Sequence, residues 1–565
     1  MVIMDFEHRA GGSWSPMHDV GVGDVAEGPR HRPRRQRWPI CPGAAWSSRE
    51  DVHFDAQGDR EVTGRRTWVG TRDAPFVYGE QVADLCMLDA VTLAAMLRRR
   101  EVSAREVVSA HIARIETFDP AINAIVTRTF DRALAQAATA DEAIVAGRPL
   151  GLLHGLPVAH KDLFDTAGVR TTYGSPLFAS NVPQRDALVV ERMERAGAIS
   201  LGKTNVPEFG AGSHTVNPVF GATCNPYNHG RSAGGSSGGA AAALAARFIA
   251  LADGSDLGGS LRNPASFCNV VGLRPSPGRV PGWPLTDVTD QLSVSGPMAR
   301  TVTDTALLLA VLSGPDPRVP LSLDHPPPAV TDPSEIPALL EGDLAGIRIA
   351  WSADLGLPVD QDVLEALAPA RQILAGLGGS LTDAAPDLSG ADEVFRTLRA
   401  LSFATFRRDL LREHPDLVGP NVTWNVKRGL ALRAADLSRA TLLYTALAEQ
   451  INSFFANFDV LACPVSQVAP FEVTLDWVHE INGQPLHTYL DWMASCYLIS
   501  VTGLPAISVP AGFTPNGLPV GLQLVGRRRG DWDLLAVARA FEAATGMAAR
   551  LPGSTPSLSA TSAHR

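Results

Sequence analysis

Residues 234–260 read GGSSGGAAAALAARFIALADGSDLGGS, with serines in glycine-rich turns on either side of an apolar run. In the second turn, the Gly-Gly-Ser step at residues 258–260 surrounds Ser260 with backbone N–H groups that no side chain covers. Successive exposed amides form an anion-binding nest, which is the geometry that an oxyanion hole for acyl transfer requires. The stretch therefore predicts a turn that can hold a developing oxyanion beside Ser260.

A lysine upstream supplies the base that such a serine needs. Residues 155–162 read GLPVAHKD, so Lys161 follows an apolar run and precedes Ser236 by 75 residues, and Ser236 precedes Ser260 by 24. A serine hydroxyl is a weak nucleophile without a base beside it. A lysine that is buried away from water loses its proton more readily and can act as that base. The three residues therefore predict a Ser–Ser–Lys relay.

A phosphate-binding loop is a competing interpretation of another segment. Residues 197–204 match the pattern G-x-x-x-x-G-K-[ST], which requires a strand before its first glycine. Apolar positions within residues 189–193 instead have helical spacing, and residues 198–201 are typical of a strand. We therefore predict a helix-to-strand turn here and treat nucleotide binding as a remote alternative.

A nucleophile elbow of the α/β-hydrolase type is a competing interpretation of the segment around Ser236. Residues 234–238 match G-x-S-x-G, in which Ser236 itself would be the nucleophile at the end of a strand. Residues 225–231 before this motif are typical of a loop rather than a strand, and no histidine downstream of Ser236 lies in a supporting pattern. The sequence therefore argues against Ser236 as the nucleophile of such an elbow.

The composition of the 565-residue chain argues against several classes of partner. The formal net charge is −10, from 49 Lys and Arg and 59 Asp and Glu, whereas a nucleic-acid binder needs a basic surface. The longest apolar stretch, residues 240–252, is interrupted by Arg247 and is shorter than the ~20 residues of a membrane span. We therefore expect neither a nucleic-acid nor a membrane partner, and a cytoplasmic location.

The cysteines carry no sign of a metal site. The chain has 6 cysteines, which form no C-x-x-C pair and no cluster with the spacing of zinc ligands. Free and mostly buried thiols in a reducing compartment are the expected state.

The chain is expected to form one domain with two extensions. Residues 1–83 lack a sustained apolar period, which predicts a disordered N-terminal extension. Residues 84–550 form the expected domain, with a catalytic core at about 150–313, where strand and helix patterns alternate, and a Pro-rich loop at about 314–345. Residues 551–565 form a polar tail that we expect to be disordered.

Three local signals predict element boundaries. Ser103 and Glu106 have the spacing of a capping box, which begins a helix. The dipeptide Asn516-Gly517 between two apolar runs predicts a β-hairpin. Residues 532–545 predict a last helix that ends at Gly546.

Together, these motifs resemble the amidase signature family of Ser–cis-Ser–Lys hydrolases, over about residues 88–545. The resemblance implies a single large α/β domain, in which a mixed central sheet is flanked by helices on both sides. The segments that carry it surround Lys161, Ser236 and Ser260, and continue at residues 197–205, 217–218, 225–226, 272–275, 295–300 and 503–506.

The resemblance implies a role for each residue of the relay. Ser260 would attack the substrate and form an acyl-enzyme. Ser236 would lie at a cis peptide bond and connect Ser260 to Lys161, which would be the base and would later return a proton to the leaving amine. The residues around this relay would be the oxyanion donors Leu257, Gly258 and Gly259, joined by the amide of Ser260, and the supporting residues Ser237, Asp256 and Arg262.

The substrate is less sharply defined. The resemblance implies hydrolysis of a linear carboxylic amide, which we expect to be a neutral aryl or alkyl amide, with anilides, esters or carbamates as further substrates. The alternative is the glutaminase subunit of a tRNA-dependent amidotransferase, which has an aspartate before Gly503 that binds an α-ammonium group. Asp491 lies two residues from that position, and Trp492, Met493 and Ala494 suit either an apolar pocket or the core. No cofactor or metal is implied, and a homodimer is the implied oligomer.

Overall fold

The computed structural model describes residues 85–284 and 287–553. The predicted extension at residues 1–83 lies outside the described residues, as do residues 554–565 of the predicted tail. The division into domain and extensions therefore stays a prediction.

A mixed sheet of 11 strands organises the described residues. Its strands are β1 (Ile125–Arg128), β2 (Pro157–Lys161), β3 (Ile199–Thr204), β8 (Leu251–Asp256), β9 (Val271–Arg274), β10 (Val294–Ala299), β11 (Arg348–Trp351), β12 (Ser380–Asp383), β13 (Val460–Pro464), β16 (Ala506–Phe513) and β17 (Pro519–Gly526). Within the described part of the chain, their order is β1-β3-β2-β8-β10-β9-β16-β17-β13-β11-β12. Parallel pairs lie towards the two ends of the sheet, where β2 pairs with β3 and β8, and β11 pairs with β12 and β13, whereas the central pairs are antiparallel.

Short strands and helices complete the chain. The short strands are β4 (Val216–Asn217), β5 (Gly221–Ala222), β6 (Cys224–Asn225), β7 (Asn228–Ser232), β14 (Glu480–Ile481) and β15 (Gln484–Pro485). The helices are α1 (Ala90–Arg98), α2 (Ala104–Phe118), α3 (Phe130–Val145), α4 (Leu188–Arg195), α5 (Gly238–Ala245), α6 (Arg262–Phe267), α7 (Val302–Leu312), α8 (Gln361–Gly376), α9 (Ala391–Glu413), α10 (Pro420–Leu430), α11 (Ala434–Asn457), α12 (Ala494–Ser500) and α13 (Asp531–Thr545).

Helices cover both faces of the sheet, as expected. Successive side chains of a strand point to opposite faces. Along β13, Val460 and Ala462 belong to one buried apolar cluster, whereas Leu461 and Cys463 belong to another. The first cluster also contains side chains of α5, α7, α8 and α13, and the second contains side chains of α9, α11 and α12. The expected α/β architecture is therefore confirmed.

The three local boundary predictions are confirmed. Ser103 accepts from the amide of Glu106, whose carboxylate accepts from the amide of Ser103, at the start of α2. Residues 514–518 connect β16 to β17 as an antiparallel hairpin. The last helix, α13, ends at Gly546, which has a left-handed conformation with φ of 61°.

One local prediction is wrong. The sequence predicts a loop at residues 225–231, but β6 and β7 form a short antiparallel hairpin there. Asn225 stabilises it, because its side chain donates to the carbonyl of Ser232 at 3.1 Å and to that of Phe267 at 2.7 Å. Asn and Gly residues are depleted in strands, so local propensity concealed a hairpin that tertiary contacts hold.

The cysteines follow the expectation only in part. Cys86, Cys268, Cys463 and Cys496 are buried free thiols, whereas Cys224 is disulfide-bonded. Along the described residues, no helix has the length and apolarity to cross a membrane.

The sheet brings two strand ends to one place. Since β2 and β8 are parallel neighbours, their carboxyl ends lie at the same edge. Lys161 is the last residue of β2, Asp256 is the last residue of β8, and α5 begins directly after Ser237. Ligand sites in α/β sheets lie at the carboxyl ends of strands, which makes this edge the candidate site.

Candidate active site

Three serine hydroxyls surround the amino group of Lys161. Its Nζ lies 2.8 Å from Ser236 Oγ, 2.8 Å from Ser237 Oγ and 3.0 Å from Ser255 Oγ. The peptide bond between Gly235 and Ser236 is cis. The structure therefore brings together two of the three relay residues, with Ser237 beside them.

Burial changes the acid–base behaviour of Lys161. The side chain has no solvent exposure, and this desolvation lowers the pKa of Lys161 to about 7, although the carboxylates of Asp256 and Asp253 oppose the shift. Removal from water disfavours the charged ammonium. At neutral pH the amino group can therefore accept a proton, which is consistent with the predicted base, and the role of Lys161 in catalysis stays a prediction.

Sequence reasoning missed two residues that contact Lys161. Ser255 provides the third hydroxyl, and Asp253 accepts from the backbone amide of Lys161 at 2.7 Å. The other carboxylate oxygen of Asp253 lies 2.5 Å from His160 Nδ1. Polar residues within a strand as buried as β8 were the available signal, because such groups need partners.

Asp256 shapes the turn that carries Ser260. One carboxylate oxygen accepts from the amide of Gly259 at 2.8 Å, and the other accepts from the amide of Leu261 at 3.1 Å. Arg262 donates to both oxygens at 3.0 Å. Burial alone would raise the pKa of Asp256, but the guanidinium groups of Arg262 and Arg274 hold this pKa well below its usual range. The carboxylate is therefore a fixed anchor for the turn.

The amides of the turn differ in availability. Within the described residues, no protein acceptor pairs with the amides of Leu257, Gly258 or Ser260. The amide of Gly259 instead donates to Asp256. Three of the amides predicted to bind the oxyanion can thus face a substrate, whereas that of Gly259 is occupied.

Ser260 is near the relay but does not yet complete it. Its carbonyl accepts from the amide of Ser237 at 3.2 Å, and its side chain is buried, with 7% exposure. No hydrogen bond joins Ser260 Oγ to Ser236 Oγ among the contacts of the described residues. Catalytic hydrogen bonds often form only when substrate binds, so the role of Ser260 stays a prediction.

Aromatic side chains pack on the turn. A Cβ atom placed on Gly258 would lie 2.8 Å from Phe395 Cζ and 3.3 Å from Tyr497 Cβ. The rings of Phe395 and Tyr497 stack with centroids 4.4 Å apart. Trp492 is buried with 1% exposure and stacks on Phe267. Of the two interpretations of Trp492, the structure favours the core.

Asp491 is held in place by other side chains. Its carboxylate lies 2.7 Å from Arg396 NH2 and accepts from the hydroxyl of Thr488 at 2.5 Å. It also accepts from the amides of His487 and Thr488, at 2.7 and 2.8 Å. The carboxylate that could bind an α-ammonium group is therefore already paired with Arg396, which also pairs with Asp392 at 2.6 Å.

Lys203 has no phosphate-binding geometry. It lies on β3, directly after α4, so the order is helix, turn and strand as predicted. Its buried amino group donates to the carbonyl of Phe164 and to the hydroxyls of Thr166 and Thr171. Those contacts link two segments of the domain and use the hydrogen-bond donors of the lysine in the G-x-x-x-x-G-K-[ST] pattern, so they are not free for a phosphate.

Comparisons with known proteins agree on one family. The family model described as Amidase matches residues 106–535. The A-type subunit of the glutamyl-tRNA(Gln) amidotransferase of Thermosynechococcus vestitus is 38% identical over 479 residues, which cover 80% of this chain and 96% of the relative. An acylamidase of Rhodococcus erythropolis is 36% identical over 477 residues, which cover 83% of this chain and 98% of the relative.

The fold has a similar counterpart among solved structures. A bacterial aryl acylamidase of the amidase signature family superposes with a TM-score of 0.76 at 30% identity. The match covers 83% of this chain and 99% of that enzyme.

Proposed function

The chain belongs to the amidase signature family of hydrolases, and we propose that it cleaves a carboxylic amide through an acyl-enzyme formed on Ser260. The observation that carries the proposal is the contact between Lys161 Nζ and Ser236 Oγ at 2.8 Å, next to the Ser260 turn. A buried amino group with a pKa of about 7 can take the proton that Ser260 must lose.

The first half of the reaction forms the acyl-enzyme. Ser260 Oγ attacks the carbonyl carbon, and its proton passes through the hydroxyl of Ser236 to neutral Lys161. The amides of Leu257, Gly258 and Ser260 stabilise the resulting oxyanion. The C–N bond then breaks, and the amine leaves with the proton that Lys161 returns through Ser236.

The second half consumes water. Water attacks the acyl carbon and gives its proton to the relay, and the carboxylic acid leaves as Ser260 regains its proton. The relay needs Ser260 Oγ to approach Ser236 Oγ, since no hydrogen bond joins these two hydroxyls among the described residues. Every residue in this scheme comes from a single chain.

A neutral aryl or alkyl amide suits the site best. The oxygens of Asp491 are occupied by Arg396, Thr488 and two backbone amides, so an α-ammonium group would have to displace these donors. Phe395 and Tyr497 supply apolar surface behind Gly258. The names of two similar proteins, an acylamidase and an aryl acylamidase, support the same substrate class.

A glutaminase subunit is the second candidate. It is supported by the 38% identity to the glutamyl-tRNA(Gln) amidotransferase subunit of Thermosynechococcus vestitus. Such a function would require Asp491 to leave Arg396 and Thr488 so that it could bind glutamine. Partner subunits would also be needed, so this candidate predicts little glutaminase activity for the isolated chain.

A substrate panel separates the two candidates. Purified protein is incubated with an anilide, an alkyl amide, an ester, a carbamate and glutamine, and released amine or ammonia is measured. We expect turnover of the neutral amides and none of glutamine, with Ser260→Ala as the inactive control. Absence of turnover of every neutral amide, with or without turnover of glutamine, would overturn the proposed substrate class.

A further inference from the structure

A cavity of about 490 Å³, lined by both polar and apolar residues, lies away from the Ser260 turn. It is lined by residues at the start of α1, the start of α7, the end of α13 and the segment after α5. Serines 236 and 237 precede α5, and Arg247 follows it. Ten residues at ~1.5 Å rise each separate the two by about 15 Å along the helix axis. The cavity is therefore distinct from the candidate active site.

Arg247 enters this cavity without a partner. Its side chain is 8% exposed, and its Nε is buried without a hydrogen bond. Among the described residues, no carboxylate lies within ion-pair distance of Arg247 and no acceptor pairs with its guanidinium group. A buried N–H that has lost its water without gaining an acceptor is costly, and this is the state of the Arg247 Nε.

Arg247 has a backbone conformation that is unusual for a residue with a side chain. Arg247 follows α5 with φ of 64°, a left-handed conformation that glycine usually supplies at a helix end. Its amide donates to the carbonyl of Leu244, and the amide of Phe248 donates to that of Ala243. The backbone thus favours glycine at a position where the chain places a buried cation.

Two more arginines line the same cavity. Arg300 donates to the carbonyls of Ile249 and Leu88, and Arg539 donates to the hydroxyl of Thr303 at 3.1 Å. These acceptors are neutral, so neither guanidinium charge is balanced by them. Burial, followed by the nearby Arg300, lowers the pKa of Arg247 to about 9. Arg247 therefore remains charged at neutral pH.

Asp89 and Glu542 also line the cavity, and together with Asp304 they cap helix ends. Asp89 accepts from the amide of Thr92, Asp304 from that of Val91, and Glu542 from that of Val302. Burial raises the pKa of Asp304 to about 6 and that of Glu542 to about 7. Glu542 is then only partly ionised at neutral pH. These carboxyls therefore balance the three arginines incompletely.

We propose that this cavity binds a small anion that carries a phosphate or carboxylate group, with Arg247 as its principal ligand and Arg300 and Arg539 beside it. A guanidinium group offers a planar set of donors that fits both groups. The cavity volume lies in the range of small-molecule sites, about 300–1,000 Å³. The anion would supply the missing partner of Arg247.

The test uses the full-length protein with inorganic phosphate and citrate as probes. Binding is measured by calorimetry at millimolar concentrations, and Tm is measured against chloride at equal ionic strength. We expect binding of at least one probe, and at least tenfold weaker binding by Arg247→Met. Arg148→Met is the matched control, because it removes an exposed arginine elsewhere in the chain.

The Tm values provide a second criterion. In chloride, Arg247→Met should be more stable than wild type, because it removes a buried Nε–H that has no acceptor. Phosphate and citrate stabilise most proteins by exclusion from the surface. Specific binding is therefore measured by how far the increase in Tm of the wild type exceeds the increase in Tm of Arg247→Met. Arg539→Met should show a smaller increment than wild type, which keeps the test valid if Arg247→Met does not fold.

The outcomes either identify the class of anion that binds or overturn the proposal. A larger effect of phosphate assigns the site to a phosphorylated ligand, and a larger effect of citrate assigns it to a carboxylate. Equal stabilisation of wild type and Arg247→Met by both probes would overturn the proposal. The proposal would also be overturned if the wild type bound neither phosphate nor citrate.

Discussion

The ionisation of Lys161 should govern the pH dependence of catalysis. Because the amino group must be neutral to accept a proton, kcat/KM should rise with pH and level off above the pKa of Lys161. Desolvation lowers this pKa from an ordinary value of 10.5 to about 7. We therefore expect a single inflection near neutral pH, with the higher rate on the alkaline side.

The size of the effect follows from the shift. With a pKa of 10.5, about 1 in 3,000 amino groups would be neutral at pH 7, whereas with a pKa near 7 about half are neutral. Burial thus raises the concentration of active base roughly a thousandfold at that pH. Lys161→Ala should lose most of the rate together with the inflection. Lys161→Arg should not restore either, since a guanidinium group stays protonated.

The assay follows release of an aniline from a chromogenic anilide between about pH 5.5 and 9.5, a range that brackets the expected pKa on both sides. The rate of covalent inactivation by a fluorophosphonate provides a second profile, in which no amine leaving group needs a proton. Lys203→Met is the matched control, because Lys203 is equally buried and its pKa is also lowered by burial, yet it contacts Phe164, Thr166 and Thr171 instead of Ser236.

Two results would refute this reasoning. One is rapid turnover by Lys161→Arg with an unchanged profile, which would make Lys161 an electrostatic or structural residue. The other is loss of the inflection in Lys203→Met while that variant keeps its native circular dichroism. Either result would require another base.

Three further expectations concern the residues around Lys161. Ser260→Ala should abolish labelling by a fluorophosphonate, whereas Ser236→Ala should only slow it; labelling retained in Ser260→Ala and lost in Ser236→Ala would identify Ser236 as the nucleophile. Ser255→Ala removes an acceptor that lies 3.0 Å from Lys161 Nζ and stabilises the ammonium form, so the inflection should move to lower pH by up to about one unit; a move to higher pH would contradict this. Gly259→Ala should lower kcat/KM at least tenfold, because its Cβ would lie 2.6 Å from Asn263 Nδ2 and Cys496 Cβ at a φ of 118°, whereas Gly342→Ala, with open space around it, should match wild type.

Much of the fold could be predicted because local chemistry decides it. The capping box at Ser103 and the hairpin at Asn516-Gly517 are short-range features whose partners lie within a few residues. The helix before Gly197 and the strand after it excluded a phosphate loop for the same reason. Propensity failed at residues 225–231, where the side chain of Asn225 and its distant acceptor Phe267 stabilise a hairpin that the local sequence disfavours.

The sequence by itself determined which residues form the candidate site, since Lys161, Ser236 and Ser260 lie in motifs that depend on residue type and order. Only the tertiary structure decided what surrounds them. Ser255 and Asp253 reach Lys161 because β2 and β8 are parallel neighbours, and Asp491 pairs with Arg396 of α9. Charge balance and desolvation depend on atoms far apart in the chain, so no local pattern contains them. The same reason explains why an unpaired arginine such as Arg247 becomes visible only in the folded protein.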